Sequence, residues 1–425
     1  MEIEKNFGNL VQVERGKEIY EGILLPGPEQ GVIILKLENG YNIGFNKKEI
    51  LKLKVVKKIV EKKEEFEVKN LKNNLNVAMV ILGGTISARL NPGKGGVDFI
   101  ENPNDFFKYY PEIFKIANIS RVETPFMKGS ENMDYKDWQK IAKVVCELVN
   151  DSNISGVIVT QGTDTLHYTS SALSFFLRDL GKPVVLTFSQ RSIDRGSSDA
   201  TLNLLCSAKM AISNSSGVFV VGHANSEDEF CFSINGAKVR KMHSSRRDAF
   251  KPINSEPIFK VYPEKLEKVS EYKLRNNKKK CLVDNKFEEK IALLKFYPGE
   301  DPSILDYYLK EGYKGLVIEM LGLGHVATSG SRISWIKKLN EIQKKGMIVC
   351  AAAQTIFGRL DPLVYVTGRE LIETGIIYLE DMLSETAFVK LGWVLGHKDW
   401  VSSKEKVKEK MLENFSGELN NRLIE

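Results

Sequence analysis

The chain has 425 residues, 42% of them hydrophobic and 27% charged, with a formal net charge of +6. This is the make-up of an ordinary folded protein of two or three domains and excludes a disordered or fibrous chain. No apolar run reaches the roughly 20 residues needed to cross a bilayer, and the mixed, acidic MEIEKNFGNL start lacks the apolar core of a secretory signal, so a cytoplasmic protein is expected.

The first 55 or so residues read as β structure. LVQV, IYEGILL, GVIILKL and YNIGF are short apolar or alternating runs separated by turn signals, among them the Asn39-Gly40 step. Several short strands in so little chain predict a small closed β-barrel. The charged run KKIVEKKEEFEVKNLKNN then reads as a linker. From Val77 the rhythm changes: NVAMVIL, GVIVT, PVVLTF and GVFVVG are continuous apolar runs, the mark of buried parallel strands. Helical patterns at 135–149, 166–180 and 199–212 alternate with them, which predicts an α/β domain with a mostly parallel sheet. A lysine-rich stretch near 272–290 interrupts the alternation. It resumes with IALLKF, GLVIEM and MIVCAAA and with helices near 332–344 and 383–395, a second and smaller α/β domain. The boundaries expected are 1–60 for the barrel, 61–74 for a charged linker, 75–275 for the larger domain, 276–287 for a second linker and 288–425 for the smaller domain.

Five cysteines, at 146, 206, 231, 281 and 350, are dispersed and form no C-x-x-C pair, so they read as buried thiols rather than a zinc site or disulfide framework. The five histidines (167, 223, 243, 325 and 397) show no metal-ligand spacing and read as structural or surface residues. No metal is expected to be needed. No strand is followed by G-x-G-x-x-G, which argues against a dinucleotide-binding enzyme. The mildly basic charge tolerates an acidic partner such as RNA without requiring one.

Chemistry-bearing residues fall at the carboxyl ends of the expected strands, where open α/β sheets bind ligands. Gly83-Gly84-Thr85-Ile86-Ser87 follows NVAMVIL; its glycines allow close backbone approach, present N–H groups to an oxyanion and leave a hydroxyl at the turn. Gln161-Gly162-Thr163-Asp164-Thr165 follows GVIVT and sets a hydroxyl beside a carboxylate at a helix start. Each alone is also what a plain turn or a helix cap looks like. Their occurrence after two strands of one domain favours a site. Gly129-Ser130-Glu131-Asn132 ends another short run and could hold the α-amino and α-carboxylate groups of an amino acid. The basic segment GAKVRKMHSSRRDAF, 236–250, is for most of its charges a solvated loop, but one lysine turned inward beside Thr163 and Asp164 could take a hydroxyl proton.

These motifs resemble the L-asparaginase/glutaminase family with threonine nucleophiles: LGGTIS at 82–87, GSEN at 129–132, TQGTDTLHYT at 160–169 and GAKVRKMHSS at 236–245. The resemblance covers roughly 75–425 and implies an asparaginase-like two-domain α/β unit behind the amino-terminal barrel. It also implies Thr85 as nucleophile, Thr163, Asp164 and Lys241 as the second threonine with its aspartate and lysine, and Gly84, Ser130, Glu131 and Gly162 as substrate-binding positions. Related sequences carry a tyrosine on the loop after GGTI; here Pro92 stands about where that ring would be.

GILLPGPE, LENGYNIGF, KVRKMHSSRRDAF and EDMLSETAFVKLGWVLGH are further similar to one branch, the D subunits of archaeal-type glutamyl-tRNA(Gln) amidotransferases. That likeness implies a glutaminase without a cofactor of its own, forming a homodimer inside a heterotetramer. Its E-subunit partner would bind tRNA(Gln), use ATP and Mg, and convert tRNA-bound glutamate to glutamine with the ammonia released from free glutamine. The rival readings are a free-standing L-asparaginase/glutaminase, for which the barrel has no evident use, and a silent scaffold or RNA-binding module, which would be expected to lack part of the Thr85, Thr163, Asp164 and Lys241 set.

Overall fold

The computed structural model describes residues 3–27, 29–39, 41–58, 74–91, 96–99, 103–193 and 195–422. The charged linker at 61–73, the Gly40 half of the Asn-Gly turn and Pro92 lie outside the described residues.

The amino-terminal strands β1 (Leu10–Arg15), β2 (Glu18–Pro26), β3 (Val32–Lys36), β4 (Asn42–Asn46) and β5 (Lys52–Lys57) form an antiparallel sheet in the order β4-β3-β2-β1-β5. The segment expected to be a barrel thus forms a five-stranded sheet. Alternate residues along the strands, Val11, Val13, Leu24, Ile33, Leu35 and Phe45, join Ile3 in a core of their own.

The larger unit is built on β6 (Asn76–Ile81). A short hairpin, β7 (Ala88–Asn91) and β8 (Gly96–Phe99), and helix α1 (Pro103–Lys108) lead to β9 (Asn118–Glu123), helix α2 (Tyr135–Asn150) and β10 (Val157–Thr160). Helix α3 (Leu166–Phe176) and the two-residue β11 (Leu177–Arg178) precede β12 (Pro183–Thr187), helix α4 (Ala200–Ala211) and β13 (Ser215–His223). The chain continues through β14 (Cys231–Asn235), β15 (Val239–Lys241), β16 (Phe250–Pro252), β17 (Phe259–Val261), β18 (Leu266–Lys268) and β19 (Lys273–Leu274). The main sheet runs β18-β17-β14-β13-β12-β10-β6-β9, parallel from β13 to β9, as the apolar runs require. Side chains of β6 alternate between two cores: Ala78, Val80 and Leu82 face the one with α2 and α3, and Val77, Met79 and Ile81 the one with α4. Helix α2 starts where Asp134 and Asp137 form a reciprocal capping box.

The segment expected as a second linker carries β20 (Leu282–Val283), paired with β11. The smaller unit is a four-stranded parallel sheet, β21 (Ile291–Lys295), β22 (Gly315–Met320), β23 (Ile348–Ala353) and β24 (Ile377–Tyr378), in that order. Helices α5 (Ile304–Lys310), α6 (Ile336–Lys344), α7 (Val366–Glu373), α8 (Ser384–Leu395) and α9 (Lys404–Leu412) complete it. Helix α8 packs on α3 of the larger unit, with Phe175 stacked on Trp393 at 5.5 Å, so one apolar core runs through both α/β units. All five cysteines are free and buried. No helix of the described residues is long and apolar enough to cross a membrane.

Candidate active site

Parallel pairing of β6 with β10, Ile81 opposite Thr160, brings the two threonine motifs out of the sheet side by side. The turn after β6 needs glycine twice. Gly83 and Gly84 have φ of 105° and 84°, in the left-handed region, and any Cβ on Gly84 would collide with the backbone of Gly162. That closeness is how the two loops come to share one site. Thr85 opens the short 3-10 turn Thr85–Ser87 and is half-buried. Behind it the buried Tyr110 donates its hydroxyl to the Ile86 carbonyl at 3.1 Å, a buttress that the sequence did not announce.

The third loop ties these together. Lys128 N donates to Leu82 O at 3.1 Å, so the chain leaving β9 runs beside the GGTI turn. Ser130 Oγ, 2% exposed, accepts from Asp164 N at 3.1 Å, and Ser130 O accepts from Thr165 Oγ1 at 2.7 Å. Glycine at 162 is again required, because a Cβ there would lie 2.8 Å from Ser130 Oγ. Glu131 is exposed and accepts from Asn132 Nδ2 at 3.2 Å, at the rim of the site rather than in the network of Thr163 and Asp164.

Lys241 is the lysine that turns inward. Its Nζ donates to Thr163 Oγ1 at 2.7 Å and to Asp164 Oδ1 at 2.7 Å. Asp164 is 63% exposed, so the ion pair adds little stability; its value lies in fixing the amine against the hydroxyl. In the neutral state such an amine can accept the Thr163 proton while still donating to Asp164. The other lysine and arginines of 236–250 go elsewhere: Lys238 to Asp381, Arg240 to Glu385, Arg246 to Asp248 and Arg247 to Asp228.

Two buried polar groups flank the site. Gln161, at the end of β10, is 1% exposed and neither of its amide atoms has a hydrogen-bond partner. His167, in the first turn of α3, is pushed down to about 3 by burial, helped by Arg240 and Lys241 and opposed by Asp164, so its ring is neutral. It fits the structural reading of the histidines. A groove of about 710 Å³ between Arg178, Tyr272 and Phe415 is lined by none of Thr85, Thr163, Asp164 or Lys241. Side-chain chemistry, not cavity size, locates the site. Among the described residues no cluster of three or more His, Cys, Asp or Glu could hold a metal ion.

Residues 76–273 match the family model for the asparaginase N-terminal domain, 290–411 that for the glutaminase/asparaginase C-terminal domain, and 5–56 that for the GatD N-terminal domain. The D subunit of the glutamyl-tRNA(Gln) amidotransferase of Pyrococcus horikoshii is 44% identical, the alignment covering 97% of this chain and 95% of the relative. The corresponding protein of Thermococcus kodakarensis is 43% identical, with 97% and 94% covered. Among solved structures, the thermostable L-asparaginase from Thermococcus kodakarensis matches with a TM-score of 0.72 at 27% identity, over 82% of this chain and 100% of that one. L-asparaginase I from Vibrio cholerae matches with a TM-score of 0.69 at 25% identity, over 82% and 99%.

Proposed function

The chain belongs to the asparaginase family, in its branch of glutamyl-tRNA(Gln) amidotransferase D subunits, and from that premise we propose a mechanism for its glutamine hydrolysis. It is the amidohydrolase subunit of a tRNA-dependent amidotransferase, releasing ammonia from glutamine for the amidation of glutamate on tRNA(Gln).

Thr85 Oγ attacks the side-chain amide carbon as its hydroxyl proton is passed to the amide nitrogen, and backbone N–H groups near Gly84 and Thr163 hold the oxyanion that forms. The tetrahedral adduct, its nitrogen so protonated, collapses; ammonia leaves and the glutamyl group stays as an ester on Thr85. Water then attacks the ester carbonyl, its proton passing through Thr163 to Lys241 and returning to Thr85 Oγ as the ester C–O bond breaks and glutamate is released. Glu131 pairs with the substrate's α-ammonium group, while Ser130 and Gly162 shape the pocket floor. The observation that supports this reading most strongly is the convergence of Lys241 Nζ on Thr163 Oγ1 and Asp164 Oδ1, both at 2.7 Å, one backbone contact away from the GGTI turn.

The E-subunit partner supplies tRNA recognition and uses ATP and Mg; this chain needs no cofactor of its own and works as a homodimer within a heterotetramer. The chain alone and with its E-subunit partner should be given glutamine and misacylated Glu-tRNA(Gln), with free ammonia and Gln-tRNA(Gln) both measured. Ammonia production that never reaches tRNA in the presence of the partner would favour a free-standing asparaginase instead. Sedimentation of the active complex decides the stoichiometry; a fully active monomer would rule out the dimer.

A further inference from the structure

Lys241 ends a three-residue strand whose ladder partner, β16, is also three residues long. A two-stranded ribbon of this kind is marginal by itself. Yet it must hold an amine within 2.7 Å of two acceptors on another element. The larger unit anchors its start, Ser170 Oγ donating to Gly236 O at 2.7 Å, and the smaller α/β unit adds three further ties. Thr386 Oγ1 donates to Ala237 O at 3.0 Å. Lys238 Nζ donates to Asp381 Oδ2 at 2.7 Å and to the Asp381 carbonyl at 3.1 Å, with both side chains buried. Arg240 Nε pairs with Glu385 Oε1 at 3.0 Å.

The first two ties fix where the ribbon lies. The third fixes how it is rotated. Successive side chains on a strand point to opposite faces, so holding Arg240 on one face aims Lys241 from the other. Glu385 Oε1 also lies 3.9 Å from His167 Nε2, on the helix that starts three residues after Thr163. The ring is neutral and that gap exceeds a hydrogen bond, so the Arg240 ion pair is the link through which the carboxylate acts. Ser384 Oγ lies 3.3 Å from Glu385 Oε2, with its hydroxyl donated to Glu319 Oε1 at 2.6 Å. Only 9% of the Glu385 side chain is exposed.

We propose that Glu385 is a positioning residue for glutamine hydrolysis, holding Lys241 in register with Thr163 and Asp164 through its ion pair with Arg240, without touching substrate. This rests on the proton-relay mechanism given above. Because the substrate's α-groups bind at a different loop, losing the register slows the chemical steps and leaves substrate binding intact.

The test uses the complete D–E complex. Glu385→Gln keeps the shape and removes the charge; Glu385→Ala removes both. The expected result is a kcat for glutamine hydrolysis lowered about tenfold in the first and about a hundredfold in the second, since small misplacements of a catalytic group carry costs of this order. KM should stay within about threefold of the unsubstituted protein. Arg240→Gln should reproduce the Glu385→Gln loss, and the double variant should lose no more than either alone, because the two act through one link. Unchanged kcat in the Glu385 variants, a rise in KM in place of the kcat loss, or losses that multiply in the double variant would each overturn the proposal. Should the Glu385 variants fail to fold, Arg240→Gln alone decides, and an unchanged kcat there is fatal. An unsubstituted complex that hydrolyses no glutamine would sink the relay mechanism instead, a separate outcome.

Discussion

Lys390 and Glu418 form an ion pair 2.6 Å long in which neither side chain is exposed to solvent at all. Lys390 Nζ also donates to the carbonyls of Met411 and Glu413, and the Glu418 carboxylate accepts from the amides of Phe415 and Ser416. Burial pulls the lysine's proton affinity down while Glu418 raises it. Replacing one partner strands the other. Lys390→Met should cost about 3–5 kcal/mol. Adding Glu418→Gln should recover more than half, because the amide oxygen still serves the backbone donors. The thermal midpoints should rank unsubstituted, double, single; a double variant below the single would contradict this account.

Thr85→Val, Thr163→Val, Asp164→Asn and Lys241→Ala should each lower glutaminase turnover by at least about a hundredfold while the far-ultraviolet spectrum stays native. The four act as one unit, so combining any two should add little further loss. Near-normal activity in any one of them removes that residue from the mechanism.

His167 predicts a pH effect on stability. Its folded-state value, about 3, lies below the ordinary 6.5, so protonation favours the unfolded chain. Its contribution to stability is complete above pH 6.5 and is lost as the pH falls toward 3. In that window the unsubstituted protein should lose stability faster than His167→Gln, by up to about 1.4 kcal/mol per pH unit. Parallel denaturation curves at pH 6.5 and pH 4 for the two proteins would contradict the buried, neutral ring.

Removing residues 1–60 should leave hydrolysis of free glutamine largely unchanged but weaken ammonia transfer to tRNA-bound glutamate. The amino-terminal sheet closes its own core around Val11, Leu24 and Phe45 and contributes none of the site residues. Collapse of glutaminase activity in a truncated protein that still folds would make the sheet part of the catalytic unit.

Much of the site was legible because its strands are. NVAMVIL and GVIVT are apolar without interruption, and only strands covered on both faces can be, so the polar turns after them had to sit at the carboxyl end of a parallel sheet. Lys241 was legible only through family resemblance. Lys238, Arg240 and Lys241 crowd together in 236–250, and nothing local says which turns toward Thr163. Partners contributed by Asp381 and Glu385, far along the chain, decide it. For the same reason His167 could be read as structural but not as a neighbour of Glu385. Pro92, which stands where the related loop tyrosine would be, lies outside the described residues, whereas Tyr110 reaches the GGTI turn from a segment with no motif to mark it.

The ties between Ala237–Lys241 and Asp381–Thr386 join residues 143 and 149 positions apart. On a translating ribosome that separation becomes a delay, roughly 7–30 s at about 5–20 residues per second. Throughout it the nascent chain already carries Thr85, Thr163, Asp164 and Lys241, but the lysine's ribbon, anchored at Gly236 and Val239 by the larger unit, still lacks its ties to Asp381, Glu385 and Thr386. Glutamine would meet a relay whose lysine is less firmly placed, so ammonia release reaches its full rate only once the chain is long enough to be finished.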